Sequence, residues 1–213
     1  MDKNRDMGFR YSEKQGKILA LLARITIGKR LGIGFEKAGL EKVGLDRVGL
    51  DRIRPADFEL QLKLPVFDRK QGVFVTLHLD GQLRGCMGSL ESDESVRKGV
   101  ERNAVNAAFN DPRFSALTVA EFARVDVEVS VLSRPEPLFP QTPEAIALEL
   151  VPARDGVVIQ KGTARATFLP QVWEQLPEVS DFLSHLCIKA GLAPDEWTRP
   201  GLEFSTYQVQ HFS

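Results

Sequence analysis

This chain offers little to metal or disulfide chemistry. Its 213 residues include two cysteines, Cys86 and Cys187, and three histidines, His78, His185 and His211. Two thiols build no disulfide framework and cannot close a four-ligand zinc site by themselves. With so few imidazoles we expect no metal centre. Neither charge sign is in excess: 28 Lys+Arg against 29 Asp+Glu give a formal net charge of −1. A protein that coats nucleic acid normally carries a basic surplus, so nucleic acid is disfavoured as a partner. Arg97, Lys98 and Arg102 read instead as the wet face of a helix. Long apolar runs are missing too. The best, residues 18–27, is interrupted by Arg24 and falls short of a bilayer span. The mixed-charge start Met1-Asp2-Lys3 leads into no signal-peptide core. These absences predict a soluble cytoplasmic protein with no membrane partner. GxSxG, HExxH and paired CxxC are all absent. GKRLGIG at 28–34 follows no strand, so it is neither a P-loop nor a dinucleotide fingerprint. The sequence names no cofactor.

What is present is ordinary folded composition, 43% hydrophobic and 27% charged, at a length for one domain or two. Ser12-Glu13-Lys14-Gln15 has capping-box spacing. Ile18, Leu21, Leu22 and Ile25 then recur at helical spacing, which predicts an N-terminal amphipathic helix. From Gly39 a five-residue pattern, GLEKV, GLDRV, GLDRI, repeats. Period five fits neither helix nor strand, and a stacked solenoid needs many more turns to bury a core. We read residues 34–53 as an exposed or mobile insertion that the fold can lose, and residues 1–9 as a tail.

Val73, Val75, Leu77 and Leu79 alternate with Phe74, Thr76 and His78, as in a strand with one core face. After Asp80-Gly81 the chain returns as Gln82-Leu83-Arg84-Gly85-Cys86-Met87-Gly88. A two-residue loop would place Arg84 and Cys86 on the valine face. A three-residue loop pairs Leu83 with Leu77 and Met87 with Val73, and sends Arg84 and Cys86 to the Phe74/Thr76/His78 face. The second keeps apolar with apolar and is our reading. A helix capped by Ser92 or Asp93 carries Val96, Val100, Ala104 and Ala107, and stops at Asn110-Asp111-Pro112. Thr118-Val119-Ala120-Glu121 is a second capping box. Residues 125–132 alternate valine with Asp126, Glu128 and Ser130. Further helices are expected from Thr142-Pro143 and over 182–190, a hairpin around Lys161-Gly162, and one closing strand over 202–212. Hairpins interspersed with helices predict an α+β fold with a largely antiparallel sheet flanked by helices.

Arg84-Gly85-Cys86-Met87-Gly88 is the most unusual string. Glycines in a strand mark close approach by another backbone or a ligand, which puts Gly85 and Gly88 among the candidate binding residues. Arg84 lies two residues from Cys86, on the same face in regular strand, where a guanidinium would favour the thiolate that a nucleophile needs. A small core cysteine with glycines for packing fits the same pattern. A cysteine nucleophile works with a base in hydrogen-bond reach. Glu128 on its strand's polar face and His185 on a helix are the candidates, and each also fits a purely structural position. Asp111 and Arg113 read as an ion pair in a helix-terminating turn that can contribute to binding. Cys187 reads as core.

Leu83-Arg84-Gly85-Cys86-Met87-Gly88 resembles the hallmark LRGCIG of the AMMECR1 family, with Met87 in place of the usual Ile. GVFVTLHLDGQLRGCMGSLE, NAAFNDPRFSALTVAEF, VEVSVLSRPEPL, GTARATFLPQVWEQ and FLSHLCIKAGL resemble successive blocks of that family, covering most of residues 71–197. The resemblance implies one α+β domain over 10–213, with a larger and a smaller subdomain and a cleft between them. It implies a place in the AmmeMemoRadiSam system as its protein A, with a Memo-like protein and a radical SAM protein as partners. It points to Cys86 and Arg84 without supplying a reaction. Two functions follow as expectations: a Cys86-dependent reaction with Arg84 stabilising anionic charge, or a non-catalytic ligand-binding or adaptor subunit.

Overall fold

The structure, a computed structural model, describes residues 10–35, 53–140 and 142–213. The 1–9 tail and nearly all of the 34–53 repeat lie outside the described residues. The fold is α+β, as the alternation of hairpins and helices predicts. The chain forms two units, Met1–Leu132 with Gln210–Ser213, and Ser133–Val209.

The first unit begins with α1 (Glu13–Arg30), whose N-terminus carries the reciprocal Ser12–Gln15 capping box. Arg24, the residue that broke the apolar run, is 1% exposed. Its Nη1 donates to the Val125 carbonyl at 2.8 Å and its Nη2 to the Phe122 carbonyl at 3.1 Å. It also lies 4.5 Å from the Phe122 ring centroid. A buried charge is tolerable when it is satisfied in this way, and here it ties α1 to the segment before the third strand. A short helix, α2 (Pro55–Gln61), precedes the hairpin β1 (Val73–Leu79) and β2 (Gln82–Ser89). Next come α3 (Val96–Phe109), α4 (Val119–Phe122) and β3 (Asp126–Leu132). β8 (Val209–Phe212) closes the sheet, in the order β2-β1-β3-β8. Val73, Val75, Leu77, Val127, Val129 and Val131 are buried against α1 and α3, as strict alternation requires of a one-sided sheet. The α3 cap is Ser95, two or three residues later than the expected Asp93 or Ser92, with its side chain accepting from the Lys98 amide.

The hairpin departs from the expected pairing in an instructive way. Asp80 and Gly81 both have positive φ (52° and 77°), and Leu79 pairs directly with Gln82, so the loop has two residues. A bulge then shifts the register between Leu77 and His78. Beyond it Gly85 faces Leu77, Cys86 faces Thr76 and Met87 faces Val75. The extra residue returns Met87 to the valine face, opposite Val75 rather than Val73, while Leu83 pairs with His78 instead of Leu77 and stays exposed.

The second unit holds β4 (Glu136–Leu138), α5 (Pro143–Glu149), β5 (Gly156–Lys161), β6 (Ala164–Phe168), α6 (Val179–Lys189) and β7 (Glu203–Tyr207), with sheet order β4-β7-β5-β6. Its core centres on Trp173 stacked on Phe182 at 3.7 Å, with Cys187 fully buried beside Leu183 and Leu186. The single closing strand expected over 202–212 is two strands. Residues 203–207 join this sheet, and 209–212 join the other.

Candidate functional site

Around Cys86 the structure gathers residues from β2, β1 and the loop after α3. Cys86 is largely but not fully buried, and its Sγ accepts from the Thr76 hydroxyl at 3.5 Å. Its amide donates to Asp111 Oδ2 at 2.9 Å, and its carbonyl accepts from Arg113 Nη2 at 3.2 Å. β2 is an edge strand, so these groups would otherwise face outward unpaired. Asp111 and Arg113 take the place of the missing neighbour. Asp111 also accepts from the Arg113 amide, Nε and Nη2 at 3.1, 3.0 and 2.7 Å. These hydrogen bonds, the Arg113 guanidinium above all, hold the Asp111 carboxyl well below the usual carboxylate range. The hydrogen bonds to Asp111 in turn raise the Arg113 guanidinium further. Arg113 is thus the cation bonded directly to the Cys86 backbone.

Arg84 sits elsewhere than the regular strand predicted. It lies in the bulge, so it does not alternate with Cys86. Its side chain is buried, donating to Glu121 Oε1 and Oε2 at 2.9 and 3.2 Å and to the Ser115 carbonyl at 2.9 Å. Glu121 also caps α4 through Thr118, and Arg84 and Thr118 together lower its carboxyl from the ordinary 4.5 to about 2. Arg84 Nη1 is buried without a hydrogen-bond partner, and the guanidinium lies 5.7 Å from the Phe114 ring centroid. Gly85 answers to packing: a Cβ there would stand 2.2 Å from the Ala107 carbonyl oxygen of α3. At Gly88 a Cβ would meet the Phe74 ring at 2.4 Å. Both glycines mark close approach, Gly85 by the α3 backbone and Gly88 by the Phe74 ring and the Val73 carbonyl.

Glu128 faces Thr76 across β1–β3, as Cys86 does across β1–β2, so the three form one row over the sheet. Two strand spacings put Glu128 about 9–10 Å from Cys86. Its near partner is His211, whose Nδ1 lies 3.3 Å from Glu128 Oε1 and 3.0 Å from Ser130 Oγ. That contact lowers the Glu128 carboxyl, which opposes use as a base. His185 belongs to α6 of the second unit, with Nδ1 2.9 Å from the Asp181 carbonyl of its own helix. The structure thus brings Cys86, Asp111 and Arg113 into direct contact, aligns Glu128 in their row, and gives His185 its bond within α6. Among the described residues no cluster of three His, Cys, Asp or Glu is placed to hold a metal ion. A groove of about 740 Å³ in the second unit, lined by Phe139, Trp197, Arg199 and Phe204 among others, contains no thiol.

Sequence reasoning put Cys86 on the Thr76 face but missed Ser115 and Glu121 as neighbours of the motif. Thr76 was legible as the middle of the polar face. Glu121 was legible only as a helix cap, because its pairing with Arg84 spans 37 residues.

An α+β fold with a glycine-flanked cysteine on an edge strand, clamped by an Asp-Arg turn, defines the class of protein. The AMMECR1 family model matches residues 49–212, and the chain belongs to that family. It is 39% identical over 150 residues to Protein MJ0810 of Methanocaldococcus jannaschii, covering 69% of this chain and 75% of that one. A Methanosarcina acetivorans protein is 33% identical over 202 residues, covering 94% and 92%. The crystal structure of uncharacterized protein PH0010 from Pyrococcus horikoshii superposes with a TM-score of 0.72 at 29% identity, covering 95% and 93%. Among the described residues no helix is long and apolar enough to cross a membrane.

Proposed function

We propose that this AMMECR1-domain protein is the component of an AmmeMemoRadiSam-type system that takes up an electrophilic substrate on Cys86. The observation that carries the reading is the presentation of that thiol. It is partly exposed on an edge strand, its backbone is clamped on both sides by Asp111 and Arg113, and its sulfur accepts from Thr76. Residues so held give a nucleophile a fixed direction of attack. In the step, Cys86 sulfur forms a bond to the substrate carbon while that carbon's bond to its leaving group breaks. The leaving group departs with the bonding pair, and the thiol proton passes to solvent. The Cys86 amide is spent on Asp111, so it does not serve as an oxyanion donor. That favours substitution at a saturated carbon over acyl transfer. The partners in this reading are a Memo-like protein and a radical SAM protein. Two free thiols suit a reducing cytoplasm.

The test is alkylation of the native protein with iodoacetamide, read by mass spectrometry. Cys86 is expected to be modified stoichiometrically. Cys187, sealed in the second core and with its thiol pushed up by burial, stays unmodified until denaturation. A Cys86 that is inert in the native state overturns the proposal.

One observation supports a second reading, the adaptor subunit. Among the described residues no histidine or carboxylate bonds to Cys86 Sγ; Thr76 is its hydrogen-bonding neighbour. Under that reading Cys86→Ser preserves association with the two partner proteins and the output of the system. Under the thiol reading it preserves association and abolishes output.

A further inference from the structure

Asp111 and Arg113 form a pair whose two ends differ in exposure. The Asp111 side chain is 2% exposed and the Arg113 side chain 53%. The carboxylate is turned inward and saturated, accepting from the Cys86 amide and from three Arg113 groups. The guanidinium is turned outward. Its Nε and Nη2 are engaged by Asp111 and the Cys86 carbonyl, which leaves Nη1 of this half-exposed side chain as the donor those bonds do not use. The pair thereby holds its positive end against the Cys86 backbone, in the same residue that carries the thiol.

Arg84 repeats the asymmetry deeper in. Its acceptors, Glu121 and the Ser115 carbonyl, engage Nε and Nη2, and Nη1 is buried without a partner. The Phe114 ring lies 5.4 Å from the Arg113 guanidinium and 5.7 Å from that of Arg84. Around one ring the cluster thus carries more N–H donors than the acceptors it contains. A surplus of donors beside a nucleophile is the arrangement that receives an anion.

We propose that Arg113 binds the carboxylate of the molecule that Cys86 attacks, so that the substrate is a small organic acid with a leaving group near its carboxylate. One free nitrogen on a guanidinium already paired with Asp111 matches a carboxylate better than a phosphate dianion, which calls for several donors. Arg113 acts by positioning the substrate through Nη1, while its other nitrogens hold the Cys86 backbone. This inference rests on the thiol reading above, and the experiment separates the two.

Cys86 in the full chain is alkylated in parallel with iodoacetate and iodoacetamide, which share a leaving group and differ in charge. The ratio of the two rates is compared with the same ratio for a free small thiol. Dividing one rate by the other cancels differences in thiol exposure. The wild-type ratio is expected to exceed the free-thiol ratio about two-fold, the attraction of one guanidinium in a wet site reduced by its Asp111 partner. Arg113→Gln brings it down to the free-thiol value, and Arg113→Lys retains part of the preference. A wild-type ratio equal to that of the free thiol, or one unchanged in Arg113→Gln, overturns the carboxylate inference while leaving the thiol reading intact. Failure of both reagents overturns both. If Arg113→Gln does not fold, the comparison of wild type with the free thiol decides alone.

Discussion

Within the Arg84–Gly88 string each residue has a separate task. Arg84 neutralises Glu121, Gly85 lets α3 approach, Cys86 presents sulfur, Met87 joins the core opposite Val75, and Gly88 lies under Phe74. Gly85 is the least replaceable. A methyl group there would sit 2.2 Å from a backbone oxygen, which cannot move without displacing the helix. Gly85→Ala is expected to destabilise the protein by about 1–3 kcal/mol, measured by urea unfolding. An unchanged midpoint would mean that α3 lies farther from β2. The sequence marked both glycines as sites of close approach but could not say by what. Contact with Ala107 or with Phe74 depends on packing across the sheet.

Between elements, the Arg84–Glu121 pair joins β2 to α4. The Arg84 side chain is 10% exposed and that of Glu121 26%, so the pair is only partly screened. In the fold the Glu121 carboxyl is lowered to about 2, below its ordinary 4.5. A depressed folded value contributes stability that is full above the unfolded value and disappears as pH falls through the folded one. The wild-type protein is therefore expected to lose this contribution between about pH 4.5 and pH 2. Glu121→Gln should flatten that part of the stability–pH curve and lower stability at neutral pH by about 1–3 kcal/mol. Equilibrium unfolding at a series of pH values checks it, and parallel curves for the two proteins would refute it. Capping chemistry made the Thr118–Glu121 helix start readable from four residues. The second role of Glu121 was hidden because only tertiary folding brings a carboxylate 37 positions away to Arg84.

For the whole molecule, the outcome that local patterns could not supply is the division of the last segment. Residues 203–207 complete the sheet of the second unit, and residues 209–212 complete that of the first. The last residues are anchored there at several points. The Gln210 side chain exchanges hydrogen bonds with the Tyr11 backbone, His211 meets Glu128 and Ser130, and Lys17 donates to the Ser213 carbonyl. Phe212 fills the space over Gly16, where a Cβ would come within 1.9 Å of the ring. Removing residues 210–213 is expected to lower the melting temperature by more than about 5 °C, since a buried aromatic and several hydrogen bonds are lost together. Differential scanning calorimetry would show this, and an unchanged transition would count against the strand as part of the first core.

Periodicity and caps determined the α+β class, most helices, the hairpin and the valine face, because these depend on neighbours within a few residues. The hallmark hexapeptide and its flanking blocks pointed to the AMMECR1 family, to which the chain belongs. Tertiary structure alone decided that Arg113 rather than Arg84 stands against Cys86, that a bulge adjusts the register, and that the closing segment serves two sheets. Each of these choices weighs a contact between distant parts of the chain against a local preference, and the free energy of such a contact exists only once the chain has folded.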